Sequence, residues 1–117
     1  MANHAAYAFG GADFSTVAQL PERGRARCRG YIESVTFAPW TATPVFTAIV
    51  VDLDEGKTAN ELKTKRTNRV KLVWLGRRRV RGIDPGTQIR FEGMVSHNDS
   101  IPTIFNPRYE ILAHQEH

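Results

Sequence analysis

The sequence predicts an all-β fold in which five strands close a single small barrel. Apolar or alternating runs of strand length recur along the chain, and turn-forming glycine, proline or polar residues separate them. A length of 117 residues provides one hydrophobic core but not two. A β-sandwich needs about seven strands, which is more than the pattern supplies. We therefore expect one barrel domain.

The first predicted strand runs from Arg25 to about Phe37 and changes parity along its length. Its inward positions are first Ala26, Cys28 and Gly30, and later Ile32, Val35 and Phe37. A one-residue slip within a continuous strand predicts a β-bulge, which bends strands around small barrels. Gly30 fits a sharp bend, because a close backbone approach there leaves no room for a side chain.

Four further strands follow, with predicted ranges Val45–Leu53, Arg69–Leu75, Thr87–Ser96 and about Thr103–Leu112. The second strand is apolar on both faces, so its outer face needs a cover from the N-terminal segment or from a second copy of the chain. The last strand is interrupted at Asn106-Pro107, because proline has no backbone N–H to donate to a neighbouring strand. This layout matches a five-stranded Greek-key barrel of the OB type, with a short helical or irregular connector between strands three and four.

The remaining segments are polar or rich in small residues. Residues 1–20 are expected to form a loose N-terminal arm with a short helix between Asp13 and Leu20. Residues 21–113 form the barrel domain and 114–117 a tail. The long polar loop Asp54–Asn68 has no apolar stripe, and we expect it to be the most mobile internal segment of the free protein.

Basic residues are concentrated in two segments, although the net charge is only +4. The range from Lys57 to Arg81 holds ten basic residues and a single acid, Glu61. A second cluster comprises Arg23, Arg25, Arg27 and Arg29. Guanidinium groups bind phosphate and stack on bases, so these clusters indicate a polyanion-binding surface. A solubilising charged face is the simpler alternative.

The candidate nucleic-acid site is centred on Val70–Gly86, VKLVWLGRRRVRGIDPG, where an apolar strand leads into an arginine cluster. Its basic candidates are Arg77, Arg78, Arg79, Arg81, Arg69, Lys71, Lys65 and Arg66. Trp40, in the loop after the first strand, is the candidate for stacking on a base. Trp74, at the end of an apolar strand, is more typical of a core residue, and Tyr109 is expected to pack inward with its hydroxyl hydrogen-bonded.

Catalytic constellations are absent from the sequence. No histidines or cysteines have metal-ligand spacing, there is no phosphate-binding glycine loop, and His97 with Asp99 fits a polar turn. We therefore expect a non-enzymatic protein without a cofactor or metal. The single cysteine excludes an intramolecular disulfide, and no secretory signal or membrane span is recognisable, which predicts a cytoplasmic protein.

Four motifs resemble a family of small actinobacterial OB-fold proteins. They are PERGRARCRGYIESVTF (21–37), VKLVWLGRRRVRGIDPG (70–86), FEGMVS (91–96) and IFNPRYEIL (104–112). More distantly, the layout is similar to the OB-fold wedge domain of RecG-type branch-migration helicases. The resemblance covers about Leu20 to Leu112 and implies nucleic-acid binding. The chain departs from the family pattern at Arg81, where proline is expected, and in the loop Asp54–Asn68, where a tight turn is expected.

These observations predict a protein that binds nucleic acid with little sequence preference. Single-stranded or forked DNA is favoured, and RNA is a further candidate. Arginines would neutralise the backbone while aromatic side chains stack in the cleft between the first and fourth loops. The alternative is a protein-interaction barrel, in which the doubly apolar second strand forms a homodimer or docks a partner.

Overall fold

The computed structural model describes residues 14–52, 68–98 and 101–113. These residues form one short 3-10 turn, Val17–Gln19, and six β-strands. The strands are β1 (Gly24–Phe37), β2 (Val45–Val51), β3 (Arg69–Leu75), β4 (Gln88–Asn98), β5 (Ile101–Phe105) and β6 (Arg108–Ala113). Within this part of the chain, no helix is long and apolar enough to cross a membrane.

Five of the strands close a mixed barrel. The N-terminal half of β1 pairs with β4, and its C-terminal half pairs with β2. The circuit continues from β2 to β3 antiparallel, from β3 to β5 parallel, and from β5 back to β4 antiparallel. The sixth strand, β6, pairs with the same edge of β4 as β5 does, but nearer the start of β4. The predicted all-β barrel of the OB type is therefore confirmed, and its connector between β3 and β4 is irregular rather than helical.

The bend of β1 lies where the sequence pattern changes parity. The register with β2 shifts between Ile32 and Ser34, which is the predicted bulge. Gly30 lies at the close approach to β2, since a Cβ atom there would be 2.6 Å from the Val50 Cγ1 atom and 2.6 Å from the Val51 carbonyl oxygen. A missing side chain is therefore required at this position, as the sequence predicted.

The interruption of the last strand is a corner fixed by Asn106. This residue has a φ of 52°, a conformation that asparagine adopts more readily than most residues. Its amide donates to the Val73 carbonyl (2.6 Å), and its side-chain oxygen accepts from the Leu75 amide (2.9 Å). After this corner the chain pairs with β4 alone, and it continues as β6.

A row of aromatic rings leads from the end of β1 into the core, and Phe37, which was predicted to face inward, is 48% exposed at the start of this row. Phe37 and Phe46 have ring centroids 5.4 Å apart, and Phe46 and Trp74 are 6.0 Å apart. Trp74 meets Tyr109 edge-on at 5.8 Å. The Tyr109 hydroxyl donates to the Arg81 carbonyl at 2.7 Å. Trp74 is buried, so the core position of Trp74 and the satisfied inward Tyr109 are both confirmed.

The connector between β3 and β4 also contributes to the core, which the sequence analysis did not anticipate. Val80 and Ile83 are buried in the same apolar cluster as the barrel strands. The connector returns to the sheet at Ile32, whose amide donates to Thr87 and whose carbonyl accepts from Gly86, both at 2.9 Å. The arginines therefore project from a segment that is anchored on both sides.

The predicted helix between Asp13 and Leu20 is only a single 3-10 turn. Ser15 pairs with β1 instead, because its amide donates to the Arg27 carbonyl (2.9 Å) and its carbonyl accepts from the Arg29 amide (3.1 Å). The Asp52 carboxylate accepts from the amides of Val17 and Ala18 at the start of the turn. Residues 14–20 of the expected loose arm are therefore docked on the barrel.

Several expectations fall on residues that the structure does not describe. Most of the loop Asp54–Asn68, including Lys65 and Arg66, lies outside the described residues, as do Leu53 and the chain before Phe14. The mobility of that loop and the source of a cover for β2 stay predictions. Within β2 itself, the outward side chains are half-buried and the inward ones are buried.

The buried thiol provides a test of barrel integrity. Burial raises the pKa of Cys28 from 9.0 to about 12, and the nearby Asp52 carboxylate acts in the same direction. Because the thiolate is the reactive form, its fraction at pH 8 falls about a thousandfold. We expect iodoacetamide to label the folded protein far more slowly than the protein in concentrated urea. Labelling of the folded protein at the unfolded rate would show that this part of the core is open.

Candidate nucleic-acid interface

The β1–β2 loop, residues 38–44, and the start of the connector lie at the same end of the barrel. Val45 pairs with Leu75 across β2 and β3. The Gly76 amide then donates to the Pro44 carbonyl at 3.0 Å. The strand register therefore brings the loop that carries Trp40 next to the arginine cluster, although more than 30 residues separate them in the sequence.

Arg78 holds the loop that presents Trp40. Its guanidinium donates to the Pro39 carbonyl (3.2 Å) and to the Ala42 carbonyl (3.0 Å). The same two residues close a turn, in which the Ala42 amide donates to Pro39 at 2.9 Å. Trp40 lies inside this turn with 82% of its surface exposed. Arg78 therefore has a role in holding the loop, and its predicted contact with phosphate stays a prediction.

The other three arginines of the cluster differ in how far they are engaged. The Arg79 guanidinium lies 5.2 Å from the centre of the Phe37 ring, a cation–π contact. Arg77 and Arg81 are exposed, and Arg81 contributes only its backbone carbonyl to the bond with Tyr109. Within residues 14–52, 68–98 and 101–113, none of the four forms an ion pair with a carboxylate.

The outer face of β2, β3 and β5 continues from this end along the barrel. Its outward pairs are Val45 with Leu75, Thr47 with Val73, Ile49 with Lys71 and Val51 with Arg69, and Phe105 on β5 lies beside Val73. Leu75 is 52% exposed and Phe105 42% exposed. The face is thus apolar near Trp40 and basic at its far end, where Arg69 approaches Glu33 at 4.0 Å.

The predicted Arg69 and Lys71 therefore lie on one face, with the arginine cluster at one end of it. Leu75 and Phe105 were not identified from the sequence as site residues. Strand alternation places them outward, opposite in parity to Trp74 and Ile104. Their exposure depends on which elements pack over this face, and sequence periodicity does not reveal that.

The predicted cleft between the first and fourth loops has a different layout. The β1–β2 loop lies at the Leu75 end of β3, whereas the β4–β5 hairpin begins where Asn98 pairs with Ile101, towards the Arg69 end. The two loops therefore lie at opposite ends of the outer face. A cleft of about 200 Å³ lies beside the hairpin, and its lining includes Arg69, His97 and Pro102.

Metal chemistry has no evident site among the described residues. No group of three or more histidine, cysteine, aspartate or glutamate side chains there could hold an ion. The guanidinium groups and the exposed Trp40 ring of the interface are suited to electrostatic attraction, hydrogen bonding and stacking.

The contact made by Arg78 predicts a specific effect on Trp40. With 5-fluorotryptophan incorporated, the protein should give separate ¹⁹F resonances for Trp40 and Trp74. Replacing Arg78→Ala removes both bonds to the loop, so the Trp40 resonance should move towards the free amino-acid value. The Trp74 resonance should stay in place, and the free energy of unfolding should change by less than about 1 kcal/mol because the lost bonds are exposed.

Two variants control this experiment. Arg77→Ala removes a neighbouring charge that forms no hydrogen bond with the loop among the described residues, and it should leave the Trp40 resonance unchanged. Arg78→Lys can still reach one of the two carbonyls and should restore part of the effect. An unchanged Trp40 resonance in Arg78→Ala would show that the loop is held by other contacts.

No family model, curated protein or solved structure matches the chain. The resemblance to small actinobacterial OB-fold proteins therefore stays an expectation that comes from the sequence motifs.

Proposed function

We propose that the protein is a non-enzymatic nucleic-acid-binding barrel that holds single-stranded or forked DNA with little sequence preference. One observation supports this most directly. An exposed indole, Trp40, is presented by a loop that Arg78 holds, and the four arginines of that cluster have no carboxylate partner among the described residues. Proteins that bind single strands combine these two components, a stacking platform and a positively charged track.

Each part of the interface would meet a different part of the strand. Arg77 and Arg81 have exposed guanidiniums whose donors suit phosphate oxygens. Trp40 offers a flat ring, and stacking of one base on an aromatic side chain contributes about 1–3 kcal/mol. Beyond Trp40, Leu75 and Phe105 would cover the next bases, and Lys71 with Arg69 would meet the backbone further along.

The expected lack of sequence preference follows from the kinds of side chain present. Every base has a ring face on which Trp40 can stack, and phosphates are the same at every position. The seven residues of β3 span about 23 Å at about 3.3 Å per residue, which provides room for a short single-stranded segment. DNA and RNA share the features that this surface would bind, so both polymers belong in the test.

A protein-interaction barrel is the second candidate, and the exposed pair Leu75 and Phe105 favours it. These side chains lie at neighbouring positions on the outer face of β3 and β5. In a homodimer they would be buried against the same face of a second copy. Sedimentation at low and moderate salt separates the candidates, because an apolar interface persists as salt rises whereas polyanion binding weakens steeply.

The proposal predicts that Arg77 and Arg81 set the salt dependence of binding. Each phosphate of a single strand that an arginine neutralises adds about 0.7 to the slope of log affinity against log salt. We expect Arg77→Ala with Arg81→Ala to weaken binding and to reduce that slope by about 1.4. The measurement is fluorescence anisotropy with labelled single-stranded, duplex and forked oligonucleotides at several salt concentrations.

Stability should be nearly unchanged in this variant, since both side chains are exposed and such substitutions usually stay within about 0.5 kcal/mol. Arg77→Lys with Arg81→Lys is the control, because it keeps both positive charges and should keep most of the salt slope. A double variant that folds and binds like the parent would identify the cluster as ordinary charged surface. Salt-independent self-association of a parent that binds no oligonucleotide would favour the interaction barrel.

A further inference from the structure

A second group of arginines lies on the outer face of β1, β4 and β6, which we call the β4 face. β4 is separated from β2 and β3 by β1 on one side and β5 on the other, so this face lies across the barrel from the interface described above. Strand alternation places five arginines and two glutamates on it: Arg25, Arg27, Arg29, Arg90, Glu92, Arg108 and Glu110. The formal charge of these seven residues is therefore +3 (5 − 2).

The centre of the β4 face is a carboxylate surrounded by guanidiniums. Glu92 is only 7% exposed although strand alternation turns it outward. The Arg25 Nη1 atom lies 3.1 Å from its Oε2 atom, and the Arg108 Nη1 atom lies 3.9 Å from its Oε1 atom. Arg27 is directly across from it on β1. One carboxylate can neutralise one guanidinium, so these residues keep an excess positive charge.

The neighbouring row of outward residues across the three strands, Arg29, Arg90 and Glu110, also has one more positive charge than negative. Arg90 forms an ion pair with Glu110 on β6, and Arg29 is its direct partner on β1. Like charges placed directly opposite each other on a sheet are destabilising. The Arg29 charge therefore does not stabilise the fold through its cross-strand neighbour Arg90. An anion bound over the face would reduce the repulsion between these two guanidiniums.

The accessible guanidiniums suit an anion that approaches from solvent. The side chains of Arg25 and Arg108 are 60% and 62% exposed, even though both approach Glu92. A guanidinium has five N–H donors in a planar fork, so an arginine that contacts one carboxylate oxygen still has donors for phosphate. Because β1 and β6 both pair with β4, the backbone positions that carry these arginines are held at fixed spacing.

We propose that the β4 face is a second surface for the phosphate backbone of nucleic acid, so that one molecule holds two segments at once. The Phe14 ring lies 4.9 Å from the Arg90 guanidinium, so the proposed phosphate contacts fall on Arg25, Arg27, Arg29 and Arg108. These four side chains would bind the backbone without a platform for base stacking, and they would accept duplex as readily as a single strand. On a fork, the single-stranded arm would occupy the Trp40 interface and the duplex the β4 face. This inference rests on the proposed function, since it assigns the same polymer to both surfaces.

The test uses the double variant Arg27→Ala with Arg29→Ala. These two side chains are chosen because neither is an ion-pair partner of Glu92 or Glu110 among the described residues. The substitution therefore leaves both carboxylates paired, and the Arg29 repulsion is removed. We expect the melting temperature at low salt to stay the same or rise.

Two binding measurements separate the surfaces. On a forked oligonucleotide, loss of two duplex phosphate contacts should reduce the salt slope by about 1.8, at about 0.9 for each phosphate. On a short single strand, the tighter of the two binding phases belongs to the Trp40 interface, and its affinity and salt slope should match the parent. Energy transfer between two non-complementary strands, one carrying a donor and one an acceptor, should report bridging by the parent and be lost in the variant.

Controls distinguish a failure of the second surface from a failure of nucleic-acid binding as a whole. Arg77→Ala with Arg81→Ala should weaken binding to the short single strand, and Arg27→Lys with Arg29→Lys should retain bridging because the charge is kept. Sedimentation of the parent with both strands must show a monomer, since a dimer would also bridge them. Parent-like slope and energy transfer in the alanine variant would overturn the second surface alone, whereas a parent that binds no oligonucleotide would overturn both proposals.

Discussion

The barrel depends on the ability of one strand to pair with two partners. β1 meets β4 along its first half and β2 along its second half, so it must bend between them. The register shift between Ile32 and Ser34 supplies the bend, and Gly30 allows β2 to approach within van der Waals distance. The connector is tied to the same place through the backbone of Ile32. The bend at Ile32 therefore both closes the barrel and fixes the end of the connector that carries the arginine cluster.

Closure also gives the barrel two outer faces of different chemistry. On one side, β2, β3 and β5 present apolar and basic side chains beside the exposed ring of Trp40. On the other, β1, β4 and β6 present arginines that are only partly balanced by Glu92 and Glu110. Strand alternation produces this separation, because every outward residue of one strand is displayed beside the outward residues of its neighbours.

Arginines that are equivalent in the sequence have unequal environments in the folded protein. Arg78 bonds to two loop carbonyls and Arg79 lies over an aromatic ring, whereas Arg77 and Arg81 are exposed. If a base stacks on Trp40 as proposed, a loop fixed by Arg78 would lose less conformational entropy on binding than a mobile loop. Counting positive charges along the chain therefore does not distinguish the arginines that organise the loop from those that face solvent.

The sequence by itself determined the features that depend on local pattern. Alternation identified the strands, the parity change located the bulge in β1, and the Asn106-Pro107 pair marked the break in the last strand. Which side chains meet was decided by tertiary structure, because strand register joins residues that are distant in the chain. Only closure of the barrel buries Val80 and Ile83 and brings Arg78 to the loop of Trp40. Pairing across β1, β4 and β6 likewise gathers arginines from three segments around Glu92, a proximity that no single stretch of sequence encodes.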